Sequence, residues 1–524
     1  MYKNKYVTSG RRKTFCIMKA SPKFFFGFFG GLFLFILIAL FGNLSPGHPE
    51  VTYTMAIAVL MAVWWITEVV PLAITSLLPV VLFPLFGVIN GKEVSSAYFN
   101  DVIFLFIGGF LVALAMQKWN LHKRIALKIL MYTGVRAGSI LLGFMLATAF
   151  LSMWISNTAT AMMMIPIVIS VIDQLEESIG KENIKNYAIG LLLGIAYSAS
   201  IGGIATLVGT PPNLAFAKIF SITFPNAPEI GFGQWMTFAL PVTIIMMVVL
   251  WLYLYLIFFR KKGQITVSID PATFKNQYKT LGKMSFEEKI VLIVFIAFAL
   301  LLLFRSDINI GSFKIPGWAN LFSQPKFLND GTVAVAVGIV LFLIPSKKDK
   351  GDRVLDWETA RNMPWRIILL FGGGFALALG FVESGLSVWI GNRLGAVLDF
   401  HPLVITIAIT TVMIFLTEVT SNTATTQMLL PILAGLAVSD NINPLLFMIP
   451  ATVAASMAFM LPVATPPNAI IFGTGRIEIK DMAKTGFFLN IIGIVVVTVL
   501  TWLLGVYVFN IQPGVFPDWA IISK

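Results

Sequence analysis

The 524-residue chain is poor in charge, cysteine and histidine. Asp, Glu, Lys and Arg together make up 12% of it, about half the ~25% usual for a soluble domain. A water-facing surface cannot be built from so little. With 57% hydrophobic residues and a mean hydropathy of +0.87, the exposed surface must be apolar, so lipid is the solvent. The single cysteine, Cys16, excludes an intrachain disulfide and a thiolate metal site. Three histidines, His48, His122 and His401, lie far apart beside polar or proline-containing stretches and offer no catalytic or metal cluster. The net charge of +12 does not point to nucleic acid, because the basic residues fall in short segments between apolar runs.

What the chain has in quantity is apolar runs of membrane length. Runs of roughly 20 residues lie near 24–43, 54–70, 72–90, 101–117, 187–220, 234–259, 288–304, 331–346, 366–384, 444–473 and 485–509. They predict an all-α membrane protein of about eleven transmembrane helices. The first run follows a polar segment, 1–23, with seven Lys/Arg. Phe41-Gly42-Asn43-Leu44 offers no small-residue cleavage site, so the run reads as a retained helix. Two further runs, 138–173 and 403–438, are too long for one span, and each has Ser-Asn-Thr in its middle. A re-entrant helical hairpin explains both features, since non-helical backbone at depth is tolerated only under protein or a watery cavity.

With the N-terminus in the cytoplasm, 30 of the 37 Lys and Arg residues fall in inside segments. This is a strong positive-inside bias. The first hairpin then enters from the cytoplasm and the second from outside. The expected organisation is a cytoplasmic segment 1–23, a first helix 24–43, a first repeat 54–259, a cytoplasmic linker 260–287, a second repeat 288–510 and an external tail 511–524.

The halves resemble each other. Leu105–Ala115 reads LFIGGFLVALA and Leu370–Gly380 reads LFGGGFALALG. Ser152–Thr160 reads SMWISNTAT and Thr417–Thr425 reads TEVTSNTAT, again 265 residues apart, and Pro166 and Pro431 keep that register. Gly209-Thr210-Pro211-Pro212-Asn213 answers Ala464-Thr465-Pro466-Pro467-Asn468 at 255. The charge count makes the repeats inverted. Inverted repeats with interrupted helices at matching positions are the pattern of secondary transporters, with the site at the repeat interface.

Each half contributes a Ser-Asn-Thr tip and a proline break. Proline removes a donor and clashes with the preceding turn, so the two Pro-Pro pairs unwind their spans and free carbonyls. Carbonyls, hydroxyls and Asn oxygens without a carboxylate suit a monovalent hard cation better than Ca²⁺. The i, i+4 spacing of Ser152 and Ser156, and of Thr417 and Ser421, sets both hydroxyls on one helix face. One Na⁺ site per repeat is therefore expected: Ser152, Ser156, Asn157 and Gly209 in the first, Thr417, Ser421, Asn422 and Ala464 in the second. With no Lys or Arg in either motif, an anion must be held by hydroxyls, amides, helix N-termini and the cations themselves. The Gly108-Gly109 and Gly372-Gly373 pairs read as close helix packing.

The paired SNT motifs, the two TPPN breaks and Trp64-Trp65-Ile66-Thr67-Glu68-Val69-Val70-Pro71 together resemble the divalent-anion:sodium symporter family, over residues 24–510. That family contains sodium-coupled dicarboxylate, citrate and sulfate carriers. The resemblance implies a homodimer whose scaffold holds a moving transport domain, with elevator-type alternating access. It also implies substrate carboxylates contacted by Ser156, Asn157, Thr158, Ser421, Asn422, Thr423, Thr465 and Pro466. The intact second SNT, with Thr423, resembles di- and tricarboxylate carriers more than sulfate carriers. The expectation is import of C4-dicarboxylates such as succinate with at least two Na⁺ and no organic cofactor, across a bacterial inner membrane whose lipid is the other partner.

Alternatives are a sodium-independent exchanger, or a citrate or sulfate carrier of the same family. Intact hydroxyl and amide ligands in both halves favour symport. An intramembrane serine hydrolase would need a base beside serine, and neither motif has His or Lys there. Glu418 is the one acid adjacent to a motif. A channel is disfavoured by the doubled hairpins.

The orientation has a direct test. In a Cys16→Ser background, single cysteines at positions 270 and 225 should label from opposite sides of the membrane. Labelling of both by an impermeant reagent in intact cells would overturn the inverted arrangement.

Overall fold

The computed structural model describes residues 22–134, 136–259, 272–310, 313–348, 351–395 and 400–521. Cys16 and most of the expected N-terminal segment 1–23 lie outside these residues, as do 260–271 of the expected linker and the last three residues of the tail.

Helix α1 (Pro22–Phe41) packs on α2 (Pro49–Thr67), where Phe28 and Trp64 stack with ring centroids 5.2 Å apart. The short helices α3 (Leu72–Thr75), α4 (Leu78–Leu85) and α5 (Gly91–Ser96) lead into α6 (Asp101–Lys118). Next come α7 (Leu121–Thr133), α8 (Ala137–Ser152), α9 (Asn157–Ile179), α10 (Lys181–Ile204), α11 (Pro211–Thr223) and α12 (Phe232–Leu254). Helix α13 (Ala272–Thr280) precedes α14 (Phe286–Leu303), a small β-hairpin (β1, Ile308–Ile310; β2, Phe313–Ile315) and α15 (Asp330–Leu343). The remainder is α16 (Trp357–Ala360), α17 (Trp365–Glu383), α18 (Leu386–Gly395), α19 (Pro402–Thr417), α20 (Asn422–Ser439), α21 (Leu445–Ala454), α22 (Pro466–Phe472) and α23 (Ile479–Leu500). Helices α18, α19 and α20 start 265 residues after α7, α8 and α9, and α22 starts 255 after α11.

Among the described residues, eight helices are long and apolar enough to cross a membrane, fewer than the eleven apolar runs. The difference has local causes. The run 72–90 is divided between α3 and α4 around Pro71, Pro79 and Pro84. Helix α14 carries Glu287, Glu288 and Lys289 in its first turn. Helix α15 has 14 residues, and the run 444–473 is split into α21 and α22.

Both SNT runs are hairpins. Gly194 and Gly202 on α10 lie against Leu141 and Ala149 on α8, so α8 and α10 run parallel. A single residue, Gly180, joins α9 to α10, so α9 runs antiparallel to both. In the second half the Thr406 hydroxyl faces Leu446 O (3.4 Å), while Glu418 receives the amides of residues 459–461. Helices α19 and α21 are therefore parallel, and α20 returns between them. Each turn is made of a few non-helical residues between two helix ends.

The spans are unwound at the proline pairs, as the sequence suggested. The pairs occupy the first turns of α11 and α22, where a missing N–H costs nothing, and the unwound stretches precede them at 205–210 and 455–465.

Close packing joins the helices where lipid gives no hydrophobic drive between them. Helices α6 and α15 are in extensive contact. A Cβ on Gly108 would lie 2.3 Å from the Ala334 carbonyl carbon. Gly373 meets the Ser76 backbone and Gly374 the Gln427 side chain just as tightly. The histidines serve locally: His401 Nδ1 accepts from Leu403 N at the start of α19, His122 is buried against Met116 O, and His48 pairs with Glu50. Gly108→Val should therefore cost about 1–3 kcal/mol through overpacking and lower the thermal midpoint of the purified protein. Gly30→Val, which meets nothing within 4 Å, should leave it unchanged. Equal midpoints for the two variants would remove the packing role of Gly108.

Candidate functional site

Four helix N-termini are set at the hairpin tips and after the unwound stretches. Three have polar caps: Ser156 Oγ accepts from Ala159 N (3.3 Å), Ser421 Oγ from Ala424 N (3.5 Å) and Thr465 Oγ1 from Asn468 N (3.4 Å). The halves interlock, because α9 packs on α22 and α20 packs on α11. Each SNT helix thus meets the proline-started helix of the other half. The N-terminal ends carry the positive poles of their helix dipoles.

The first expected cation set is brought together. Ser152, fully buried, places Oγ 2.7 Å from Asn157 Oδ1 and 2.6 Å from Ala199 O. The Asn157 amide meets only oxygens on its inner side, so its orientation there decides between donor and acceptor. With oxygen inward it joins Ser152 Oγ, Ala199 O and Gly209 O as a ring of oxygens. With nitrogen inward it donates to Gly209 O (3.2 Å), Ser152 Oγ (2.7 Å) and Ala199 O (3.1 Å). The first arrangement offers a cation uncharged hard oxygens, and the second satisfies those oxygens with N–H. Glycine is required here: a Cβ on Gly203 would stand 2.6 Å from Asn157 Oδ1, and one on Gly209 would stand 2.4 Å from Gly203 O. Ser156 faces its own helix as a cap, and Thr158 is half-buried beside it.

The second set is looser. Thr417 is buried but donates back to Met413 O (2.9 Å) and Ile414 O (3.0 Å). Asn422 Oδ1 is buried with no hydrogen-bond partner. Ala464, Thr465 and Thr423 are buried, and Pro466 is exposed. Among the described residues no hydrogen bond joins Thr417, Ser421, Asn422 and Ala464. The positions matching Gly203 and Gly209 are Ala458 and Ala464, which have methyl groups where the first half has none.

Two asparagines went without a role in the sequence reading, although both stand in the TPPN motifs. Asn213 Nδ2 donates to Gly203 O (3.3 Å), Ile204 O (3.1 Å) and Thr206 O (2.8 Å). Asn468 Nδ2 donates to Ala458 O (3.2 Å) and Leu461 O (3.1 Å). Both side chains are fully buried. The carbonyls freed by unwinding are thus largely held by these amides rather than left to a ligand. Glu418, 4% exposed, lies at the second tip, and its partners are the amides of residues 459–461 together with Asn490. Only the position of Glu418 was visible in the sequence.

This arrangement, hairpin tips and interrupted helices meeting inside a helical membrane bundle, with no Lys or Arg side chain bonded to an SNT or TPPN residue among the described residues, is that of a membrane transporter. Residues 31–511 match the family described as "Sodium:sulfate symporter transmembrane region". The chain belongs to that family, the divalent-anion:sodium symporters, and is a multi-pass membrane protein. It is 45% identical over 479 residues to the sodium-dependent dicarboxylate transporter SdcS of Staphylococcus saprophyticus, covering 90% of each chain. It is 43% identical over 490 residues to SdcS of Staphylococcus aureus, covering 93% of this chain and 91% of the relative. Two solved structures share the fold at 13% identity and a TM-score of 0.55. One is the YdaH transporter of Alcanivorax borkumensis, covering 82% of this chain and 89% of that one. The other is MtrF of Neisseria gonorrhoeae, covering 89% and 97%. The family consists of transporters, and the hydrolase alternative falls with that.

The asparagine clamps can be tested independently of transport. Asn213→Ala and Asn468→Ala each strand buried carbonyls, at a cost of about 1–3 kcal/mol, and each should lower the thermal midpoint in detergent. An unchanged midpoint in both variants would rule the clamps out.

Proposed function

We propose that the protein imports C4-dicarboxylates, succinate-like dianions, together with Na⁺ across the bacterial inner membrane. The observation that carries this reading is the convergence of Ser152 Oγ, Ala199 O and Gly209 O on the Asn157 side-chain amide at the start of α9, a set of uncharged polar groups. Uncharged hard oxygens suit Na⁺. The sodium-dependent dicarboxylate transporters among the relatives support both the cation and the substrate class.

In this reading Ser152, Ser156, Asn157 and Gly209 hold one Na⁺, and Thr417, Ser421, Asn422 and Ala464 hold another. The dianion lies between them against Ser156, Asn157, Thr158, Ser421, Asn422, Thr423, Thr465 and Pro466. The repeats 54–259 and 288–510 are inverted about the site, with the N-terminus cytoplasmic. The hairpins and broken helices move as a transport domain within a scaffold, and two copies form a homodimer. Burying a dianion alone carries a large desolvation cost, and Na⁺ alone leaves the site positive. Each ligand therefore raises the affinity of the other, and the linkage is reciprocal.

The test is uptake of labelled succinate into proteoliposomes under imposed gradients. An inward Na⁺ gradient should drive accumulation, and choline or K⁺ should not. Equal uptake in choline combined with a need for internal dicarboxylate would replace symport by exchange.

A further inference from the structure

Glu418 sits between Thr417 and the Ser421-Asn422 tip, yet in the reading above it holds neither cation nor anion. Oε1 accepts from Phe459 N (2.7 Å), Met460 N (2.9 Å) and Asn490 Nδ2 (2.7 Å). Oε2 accepts from Met460 N (3.0 Å) and Leu461 N (3.0 Å). Every partner is a donor, so a protonated oxygen would face N–H. The geometry is that of an ionised carboxylate.

The amides it takes belong to a stretch with no helix to hold them. Ser456 N and Met457 N still bond to Val453 O and Ala454 O, but the ladder ends there, and Pro462 has no N–H to offer. The carbonyls of the same stretch are also held by side chains. Asn468 Nδ2 takes Ala458 O and Leu461 O, and the buried Tyr197 hydroxyl donates to Phe459 O (2.8 Å). Residues 458–461 are thus fixed by Glu418, Asn468 and Tyr197, with Asn490 holding Glu418, and Ala464-Thr465-Pro466 follows shortly after. The first half does this without charge. The residue at the place of Glu418 is Met153, whose carbonyl accepts from the Thr206 hydroxyl (2.5 Å).

We propose that Glu418 is the positioning residue of the second cation site. Its carboxylate takes the place of the lost helical acceptors for Phe459, Met460 and Leu461, and so ties the stretch that leads into Ala464 and Thr465 to the end of α19 beside Thr417. The proposal rests on the sodium-coupled reading of the site.

The decisive variant is Glu418→Gln, which keeps the shape but turns an N–H₂ toward backbone N–H groups. In proteoliposomes it should raise the Na⁺ concentration for half-maximal succinate uptake by ~10-fold or more, the scale of losing charge-assisted bonds. It should also alter the ratio of Na⁺-driven to Li⁺-driven uptake. Glu418→Asp keeps the charge and should recover part of the Na⁺ affinity. Asn490→Leu removes one donor of four and should shift the Na⁺ requirement in the same direction by a smaller factor. A role in stability alone would lower the amount and thermal midpoint of each variant while the surviving protein kept wild-type Na⁺ dependence, and that result overturns the proposal. If Glu418→Gln is not recovered folded, Asn490→Leu decides, and an unshifted Na⁺ requirement there overturns it equally. Wild-type uptake indifferent to Na⁺ would instead sink the symport reading itself, a separate outcome visible before any variant is made.

Discussion

Every polar group of an unwound backbone inside lipid must find a partner within the chain. This fold places four non-helical stretches where membrane helices would otherwise run on, and the way each is satisfied decides what remains for a ligand. The hairpin tips are capped by Ser156 and Ser421. The stretches before α11 and α22 are held by Asn213 and Asn468, reaching back across seven to ten residues. Among the atoms that stay unpaired are the buried side-chain oxygens of Asn213, Asn422 and Asn468, all three within the SNT and TPPN motifs.

The two halves solve the same problem with different chemistry. The first unwound stretch is short, lined by Gly203 and Gly209, and buried throughout 205–210. The second is nearly twice as long, has alanine at both corresponding positions and leaves Val463 79% exposed. A long open stretch cannot rely on local turns, and here the chain spends an ionised carboxylate on it. A hydroxyl–carbonyl bond between Thr206 and Met153 is enough for the tighter first stretch. The pseudo-symmetry lies in the helix starts and the asparagine clamps, and it stops at the residues that tie each tip to its neighbouring break.

The apolar runs, the 265-residue register and the two SNT interruptions were legible in the sequence because they depend on hydropathy and on residue type alone. Helices α19 and α20 begin where that register puts them, at Pro402 and Asn422. The unwinding at the proline pairs was legible too, since proline is incompatible with a continuous helix, but that the pairs would open the first turns of α11 and α22 shows only in the backbone. The clamps were hidden for a related reason. Asn213 and Asn468 drew no role from the sequence, because the carbonyls they bind lie within a fold-back that no periodicity announces. Glu418 was noticeable as an acid in an apolar run, but its partners sit 41 to 72 residues away, beyond the reach of any local pattern.

A charge count connects these details to coupling. In the proposed cycle the mobile cargo is a dianion with two Na⁺, which sums to zero, so moving it costs no work against the membrane potential. A third Na⁺ would add roughly 2.3 kcal/mol of drive per 100 mV. Glu418 does not enter this sum, because it stays with the protein and its charge is already spread over three backbone amides and Asn490. Its influence falls instead on the shape of the second break, which it ties to the hairpin tip. The two halves thus differ in the tie that holds each break, Glu418 in one and the Thr206–Met153 bond in the other, and in the methyl groups that Ala458 and Ala464 bring where the first half has Gly203 and Gly209.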